Sequence, residues 1–297
     1  LQALHRFAVP ALSQLLLNVF LIGASLVGAT CLGASAEERI WGLVAGVLIA
    51  GALQVRIHML ACHSDVRRFR FHFDLRDPTV RRIALLMAPA VIGAGVVQIN
   101  GLVDKILAVY LGEMAVTTLY YSQRLVYLPV GLFGVAASTV SLPAMSRAWA
   151  RGDRDDMTAM FRASLGQVLF LAVPAWALLS VLCVPVIRLM FERGSFGPTA
   201  SVETTWALLF YLPGIPAFAC AKIFSSPFHA QQDTRTPVQI ALVCLGLNVV
   251  LNLSLMPFLR QGGLALATTL CSYLNVVLLA VALRRKIGGL GLRAMGP

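Results

Sequence analysis

The stretch VLFLAVPAWALLSVLCVPVI, residues 168–187, runs for 20 residues without a charged side chain. About 20 mostly apolar residues allow an α-helix to cross the ~30 Å hydrocarbon core of a bilayer. Lipid offers the backbone no hydrogen-bonding partner, so such a segment must satisfy its own amide groups by forming a helix. The stretch therefore predicts a transmembrane helix.

The same pattern recurs along the chain of 297 residues. Apolar residues make up 58% of it and charged residues 12%, about half of the ~25% charged fraction of a soluble domain. The composition excludes a soluble fold and predicts an all-α, polytopic membrane helix bundle. We predict eight spans, at residues 7–30, 41–61, 83–111, 116–142, 160–188, 204–228, 237–258 and 263–283.

The net charge of +11 is distributed between the spans. Nucleic-acid binding would need this charge on one solvated face, so no nucleic-acid partner is predicted. Instead, alternate connectors are basic, which by the positive-inside rule predicts that both ends of the chain and the basic connector 63–82 are cytoplasmic. The basic set comprises Arg6, Arg67, Arg68, Arg70, Arg76, Arg81, Arg82, Arg147, Arg151, Arg154, Arg235, Arg284, Arg285, Lys286 and Arg293, whereas the opposite connectors hold only Arg39, Arg188, Arg193 and Arg260.

The sequence gives little support to an enzyme. It contains no G-x-S-x-G, H-E-x-x-H or glycine-rich phosphate loop. Its six cysteines are scattered singly without a C-x-x-C pair, which argues against a metal or disulfide framework. The chain begins at Leu1, a few residues before its first span, and we expect it to be an internal piece of a longer protein.

Polar side chains inside the predicted spans suggest a cation site. Asp104 lies seven residues from the outer end of its span, about 10 Å deep at 1.5 Å per residue. Asn248, Asn252 and Thr268 lie at similar depth in two other spans. Oxygen ligands with a single carboxylate suit a hard monovalent cation. Ordinary interhelical hydrogen bonding, with an interaction between Asp104 and its neighbour Lys105, is the alternative.

Arg124 is a second intramembrane charge, with Gln123 beside it. Lipid does not tolerate an arginine at this depth, so Arg124 must face protein or a water-filled cavity. Its planar guanidinium suits a phosphate or a carboxylate. A salt bridge to Asp104, or to an acid elsewhere, is the alternative.

Four segments resemble one family along essentially the whole chain. They are HRFAVPALSQLLLNV (5–19), YYSQRLVYLPVG (120–131), FERGSF (191–196) and PFHAQQDTRTPVQIALVCLGLNVVLNLSL (227–255). The chain resembles the MurJ/MviN lipid II flippases of the multidrug/oligosaccharidyl-lipid/polysaccharide exporter superfamily. The most specific pieces are the Tyr-Tyr-x-x-Arg-Leu segment with its Pro-x-Gly and the Phe-x-Arg-Gly-x-Phe loop.

The resemblance implies a fold of fourteen helices in two six-helix lobes followed by two further helices, of which the eight spans look like helices 5–12. Residues 1–62 would close the first lobe, 63–82 would be a cytoplasmic connector, 83–286 would form the second lobe and 287–297 a tail or linker. The N-terminal helices of the same protein would be a partner.

The resemblance also implies a function. Such a protein moves the undecaprenyl-diphosphate-linked peptidoglycan precursor, lipid II, to the outer leaflet of the bacterial inner membrane by alternating access. It would therefore serve peptidoglycan biosynthesis, and through it cell wall biogenesis and cell shape. Lipid II and membrane lipids are the implied partners, and this chain alone is expected to be inactive.

The family's site residues map onto this chain with two departures. Arg124 matches a cavity arginine that contacts the anionic headgroup, and the acid that often precedes it is replaced by Gln123. The side chains of Asp104, Asn248, Asn252 and Thr268, with the carbonyl of Leu264, match a sodium site described in some members. Where an aspartate can occur in that site this chain has Asn252, which puts affinity or coupling in doubt. Beyond a possible Na⁺, no cofactor is implied.

Two other functions stay open. A cation-coupled drug or polysaccharide-lipid exporter of the same superfamily would favour acidic or aromatic cavity linings for a cationic drug, whereas Arg124 indicates an anionic substrate. An intramembrane enzyme acting on a polyprenyl phosphate would need an acidic metal-binding pair near the cytoplasmic face, and the sequence shows none. If the protein were a purely structural scaffold, the free-energy cost of placing Asp104 and Arg124 inside the membrane would have no explanation.

Overall fold

A computed structural model describes residues 8–30, 36–61 and 78–288, and these are almost wholly helical. The chain divides into two compact units, residues 1–76 and 77–297. In chain order the helices are α1 (Ala8–Thr30), α2 (Ala36–Ala61), α3 (Pro78–Leu111), α4 (Glu113–Pro129), a π-helical segment (Val130–Val135), α5 (Ala136–Ala150), α6 (Arg154–Phe191), α7 (Pro198–Tyr211), α8 (Gly214–Ala230), α9 (Arg235–Leu259) and α10 (Gln261–Ile287).

The all-α fold predicted from the sequence is confirmed, because each predicted span coincides with a helix or with consecutive helices. Among the described residues, five helical stretches are long and apolar enough to cross a membrane, and the pair α7–α8, bent by 48°, is a sixth. The spans predicted at 7–30 and 83–111 are helical over the residues that the structure describes, and their crossing stays a prediction. Most of the basic connector 63–82 and most of the tail 287–297 lie outside the described residues. The lobe boundaries stay a prediction.

Large apolar side chains lie both in the core and on the surface of the second unit. Phe161, Phe228 and Met157 are almost completely buried, while Leu189 and Phe258 are 86% and 85% exposed. Large apolar side chains this exposed would be costly in water at about 25 cal/mol per Å². In lipid they carry no such penalty, as expected for a multi-pass membrane protein.

The helix that contains Arg124 continues after Pro129 into a short π-helical segment. Proline cannot donate a backbone hydrogen bond, and the six residues Val130–Val135 adopt π-helical geometry there. Gly134 of this segment lies against α8, so closely that a Cβ atom added to it would stand 2.9 Å from the Cα atom of Ala219. A Cβ atom on Gly131, in the same segment, would meet open space. The absence of a side chain at Gly134 therefore permits the contact with α8.

Side chains of α10 donate hydrogen bonds to the backbone carbonyls at the bend between α7 and α8. The carbonyl of Phe210 accepts a hydrogen bond from the Thr269 hydroxyl at 2.8 Å, and that of Pro213 accepts one from the Tyr273 hydroxyl at 2.7 Å. A broken helix is tolerated at membrane depth only where its freed carbonyls find such partners. The bend is thereby fastened to α10.

The connector between α8 and α9 is fixed by Asp233. One carboxylate oxygen accepts the backbone N–H groups of Arg235 and Thr236 at 3.1 Å each, and the other pairs with Lys286 at the end of α10. Burial opposes ionisation, but the hydrogen bonds from Lys286 and Thr236 outweigh it and lower the pKa of Asp233 to about 2. Because this pKa is below its unfolded value, the contribution to stability is complete above about pH 4 and is lost as the pH falls towards 2.

We expect Gly134→Ala to destabilise the protein, because the added methyl must displace the backbone of α8. Overpacking of this kind costs about 1–3 kcal/mol. Gly131→Ala is the matched control, with an expected change of zero or a small gain because alanine is the better helix former. Thermal unfolding of the two variants in detergent measures the difference, and equal melting temperatures would contradict the close contact.

Candidate functional site

The predicted polar side chains gather where α3, α4, α9 and α10 surround a cavity of about 390 Å³ in the second unit. Asp104, Asn248 and Thr268 line this cavity, and so does Gln123 from α4. The helical repeat that places apolar side chains of α3 and α9 against neighbouring helices also turns Asp104, Asn248 and Asn252 towards the inside of the unit.

Asp104 is buried against α9, with 6% of its surface exposed. The amide nitrogen of Asn252 donates hydrogen bonds to the Asp104 carboxylate at 2.7 Å and to the Asn248 side-chain oxygen at 2.8 Å. Asn248 and Asn252 are one helical turn apart, which puts both amides on one face of α9. The three side chains form a continuous buried polar cluster, as the depth argument predicted.

The cluster is not electrically balanced by the described residues. The ion pairs found among them are Arg151–Asp156, Arg188–Glu192 and Lys286–Asp233, none of which includes Asp104. Lys105 lines the same cavity but makes no ion pair with Asp104, so the alternative of an Asp104–Lys105 pair finds no support. An isolated buried carboxylate costs several kcal/mol unless a proton or a cation neutralises it.

Atoms that lack a hydrogen bond lie in the same place. The side-chain oxygen of Asn252 and the side-chain nitrogen of Asn248 are buried without a hydrogen-bond partner. An orphaned buried acceptor beside an unpaired carboxylate is the donor set that a cation prefers, since both supply oxygen. Within the described residues no group of three or more His, Cys, Asp or Glu side chains could hold a metal, so the chemistry is that of one carboxylate with neutral oxygens.

Helix α10 contributes the remaining predicted ligands. Thr268 donates its hydroxyl proton to the Leu264 carbonyl at 3.0 Å, and its side chain lines the same cavity as Asp104. Leu264 is fully buried. The structure therefore brings Asp104, Asn252 and Thr268 together, with Asn248 joined through Asn252 and Leu264 joined through Thr268.

Arg124 and Gln123 point in different directions, because neighbours on an α-helix are about 100° apart. Gln123 faces the cavity, while Arg124 is exposed and donates a hydrogen bond to the Tyr120 hydroxyl at 2.7 Å. Arg124 makes no ion pair among the described residues, which removes support for a salt bridge to Asp104. Its guanidinium retains free donors for an anion.

Sequence reasoning missed Tyr211. Its side chain, 2% exposed, accepts a hydrogen bond from the Gln123 amide at 2.9 Å. It is the last residue of α7, directly before the bend. The signal available was the segment FYLPGIP, residues 210–216, in which a polar aromatic residue precedes two prolines and a glycine.

Comparisons with known proteins agree on one family. The family model described as Lipid II flippase MurJ matches residues 1–296. A probable lipid II flippase MurJ of Rhizobium meliloti is 37% identical over 95% of the chain, and one of Vibrio cholerae is 34% identical over 94%. The chain covers 52% of each, so it spans about half the length of these relatives.

Solved structures share the fold. The structure titled "Lipid II flippase MurJ, inward closed conformation" matches with a TM-score of 0.78 at 23% identity, over 98% of this chain and 60% of that one. An outward-facing multidrug resistance MATE family transporter matches with a TM-score of 0.62 at 19% identity, over 71% of this chain and 47% of the other.

Proposed function

The chain belongs to the MurJ family of lipid II flippases, and we propose that its helices are part of a transporter that moves lipid II from the cytoplasmic to the outer leaflet. The protein would be a transporter and not an enzyme. The names of the relatives support lipid II as the cargo, and the apolar helices support an inner-membrane location in contact with membrane lipids.

The observation that carries this proposal is Arg124. It is an arginine within a predicted span, exposed and without an acidic partner among the described residues. Tyr120 holds one of its nitrogens by a hydrogen bond and also offers its ring, at 4.9 Å from the guanidinium carbon. The remaining donors suit the diphosphate of lipid II, which is anionic. A drug exporter with a cationic substrate would be repelled by the same charge.

The cluster around Asp104 supports a second part of the proposal, a sodium site. Asp104, Asn248, Asn252, Thr268 and the Leu264 carbonyl would hold one Na⁺, whose charge would neutralise the buried carboxylate. The ion would bind α3 to α9 and α10, and it would shift the protein between conformations only by its different affinities for them.

The proposed orientation puts both ends of the chain and the connector 63–82 in the cytoplasm, supported by the alternation of basic connectors. A single cysteine in place of His72, in a background without the six native cysteines, should be inaccessible to a membrane-impermeant maleimide added to intact spheroplasts and should react after lysis. Reaction in intact spheroplasts would reverse the orientation.

We expect Arg124→Ala to abolish most lipid II translocation by the protein at its full natural length in reconstituted vesicles. Hydrogen bonds to charged groups contribute about 1.5–3 kcal/mol, which corresponds to a loss of about ten- to a hundredfold. Arg124→Lys keeps the charge but not the paired geometry, so it should recover only part of the rate.

Arg151→Ala is the matched control. Arg151 is exposed in the connector between α5 and α6, where it pairs with Asp156, so its removal should leave translocation unchanged. Wild-type translocation by Arg124→Ala would reject the proposed contact with the diphosphate.

Sodium should stabilise the protein against heat relative to potassium or choline at equal ionic strength. A ligand at 100 times its dissociation constant adds about 2.7 kcal/mol, equivalent to a shift of several degrees in melting temperature. Asp104→Asn should abolish the difference between the salts, while Asp155→Asn, at the start of α6, should retain it. Equal wild-type melting temperatures in the three salts would mean that the cluster is hydrogen-bonded helix packing.

A further inference from the structure

The cavity between α3, α4, α9 and α10 has a buried end and an open end. The buried end holds Asp104 and Asn248, which are 6% and 1% exposed. The open end is lined by Lys105 and Tyr120, and both of these residues are exposed. The proposed function uses the buried end for a cation, and it assigns no role to Lys105.

Lys105 is a charged residue inside the predicted span 83–111. It lies six residues before the end of α3 at Leu111, about 9 Å along the helix axis at 1.5 Å per residue. A charged side chain at such a depth must face protein or a water-filled cavity, and it is a candidate for a functional contact. Because Lys105 lines the cavity, its ammonium group has a polar space to occupy.

The described residues give the Lys105 ammonium group no partner. None of their ion pairs includes Lys105. Among the described residues of the cavity wall Asp104 is the one acid, and its carboxylate accepts a hydrogen bond from Asn252 at 2.7 Å instead. A lysine ammonium has three protons to donate and no lone pair. It is therefore available to an anion that enters the cavity.

A second cation is held at the same open end. The Arg124 guanidinium donates a hydrogen bond to the Tyr120 hydroxyl at 2.7 Å, and its carbon lies 4.9 Å from the centre of the Tyr120 ring. Tyr120 belongs to the wall that Lys105 also lines. Two cations from two helices thus border one opening, and a concentration of like charge at a cleft attracts ligands of the opposite sign.

The rest of the wall is rich in neutral polar side chains. They come from α3, α4 and α10 and comprise Gln98, Asn100, Gln123, Ser272 and Asn275. Amide and hydroxyl groups both donate and accept hydrogen bonds, which suits the hydroxyl and amide groups of a sugar or a peptide. A volume of about 390 Å³ lies within the range of about 300–1,000 Å³ for small-molecule sites. The cavity therefore suits part of a polar headgroup that carries a negative charge.

We propose that Lys105 is a second substrate-binding residue, whose ammonium group pairs with an oxyanion of the lipid II headgroup at the open end of the cavity. This inference rests on the proposed function, which places the diphosphate at Arg124. The oxyanion is a phosphate of that diphosphate or a carboxylate of the attached peptide. An ammonium group binds both as a point charge.

The test measures the dissociation constants of two lipids from the protein at its full natural length in detergent. One lipid is lipid II, and the other is undecaprenyl diphosphate, which has neither sugar nor peptide. A lost hydrogen bond to a charged group corresponds to about ten- to a hundredfold in affinity. Because water screens an exposed pair, we expect Lys105→Met to weaken the binding of lipid II by about tenfold.

Two further variants separate the charge of Lys105 from other effects. Lys105→Arg keeps the charge and should retain most of the affinity. Arg151→Met is the matched control, because it removes the same unit of charge from the connector between α5 and α6, where Arg151 pairs with Asp156. It should bind lipid II as the wild type does. All three variants should melt at the wild-type temperature, since each residue is exposed.

The second lipid identifies the oxyanion. If Lys105→Met weakens the binding of both lipids alike, Lys105 pairs with the diphosphate. If it weakens the binding of lipid II alone, Lys105 pairs with a carboxylate of the peptide. Either result supports the inference.

Three results would overturn the inference. Wild-type affinity of Lys105→Met for lipid II would show that the ammonium group does not contact the headgroup. An equal loss in Lys105→Arg would show that the charge is not what binds, and an equal loss in Arg151→Met would reduce the effect to net charge. Failure of the proposed function is distinguishable, because wild-type protein would then not bind lipid II, or Arg124→Ala would bind it unchanged.

Discussion

The carboxylate of Asp104 is the constraint on which the second unit depends. It is buried and makes no ion pair in the part of the chain that the structure describes, and an uncompensated buried charge costs several kcal/mol. Asn252 of α9 reduces that cost by donating a hydrogen bond, and Thr268 of α10 lines the same cavity. The need to solvate one carboxylate therefore brings α3, α9 and α10 together, where apolar contact alone would leave their rotation weakly specified, since lipid is as apolar as the helices.

The bend between α7 and α8 depends on the same turn of α10. Breaking a helix frees carbonyls that lipid cannot satisfy, and Thr269 and Tyr273 supply the missing donors. Because Thr268 contributes to the cluster from the adjacent position, a shift of α10 would disturb the bend and the carboxylate together. Two costs of burying polar groups in a membrane are thus met by one short segment of α10.

Hydropathy alone predicted the helices, because a span of 20 apolar residues has few alternatives in lipid. The cluster was also predictable, since counting residues from the span ends puts Asp104, Asn252 and Thr268 at one depth. Counting residues does not predict how each helix is rotated about its own axis. Gln123 and Arg124 lie at the same depth but face different surroundings, because an α-helix turns about 100° per residue. Tyr211 and the π-helical segment were missed because both follow from how broken helices repack. The sequence marks the prolines but does not identify the partners of the freed groups.

The opposite charges of the two sites bear on how they can work together. Asp104 is a buried acid that we propose to hold a cation, while Arg124 is an exposed base that we propose to hold an anion. At close range a bound cation would strengthen anion binding through space, and no specific residue would be needed. However, screening by water in an open cavity weakens such an interaction steeply, as the factor of 20 between the dielectric constants of water and dry protein indicates. Such an attraction would therefore be strongest where water is excluded from the space between the two ligands.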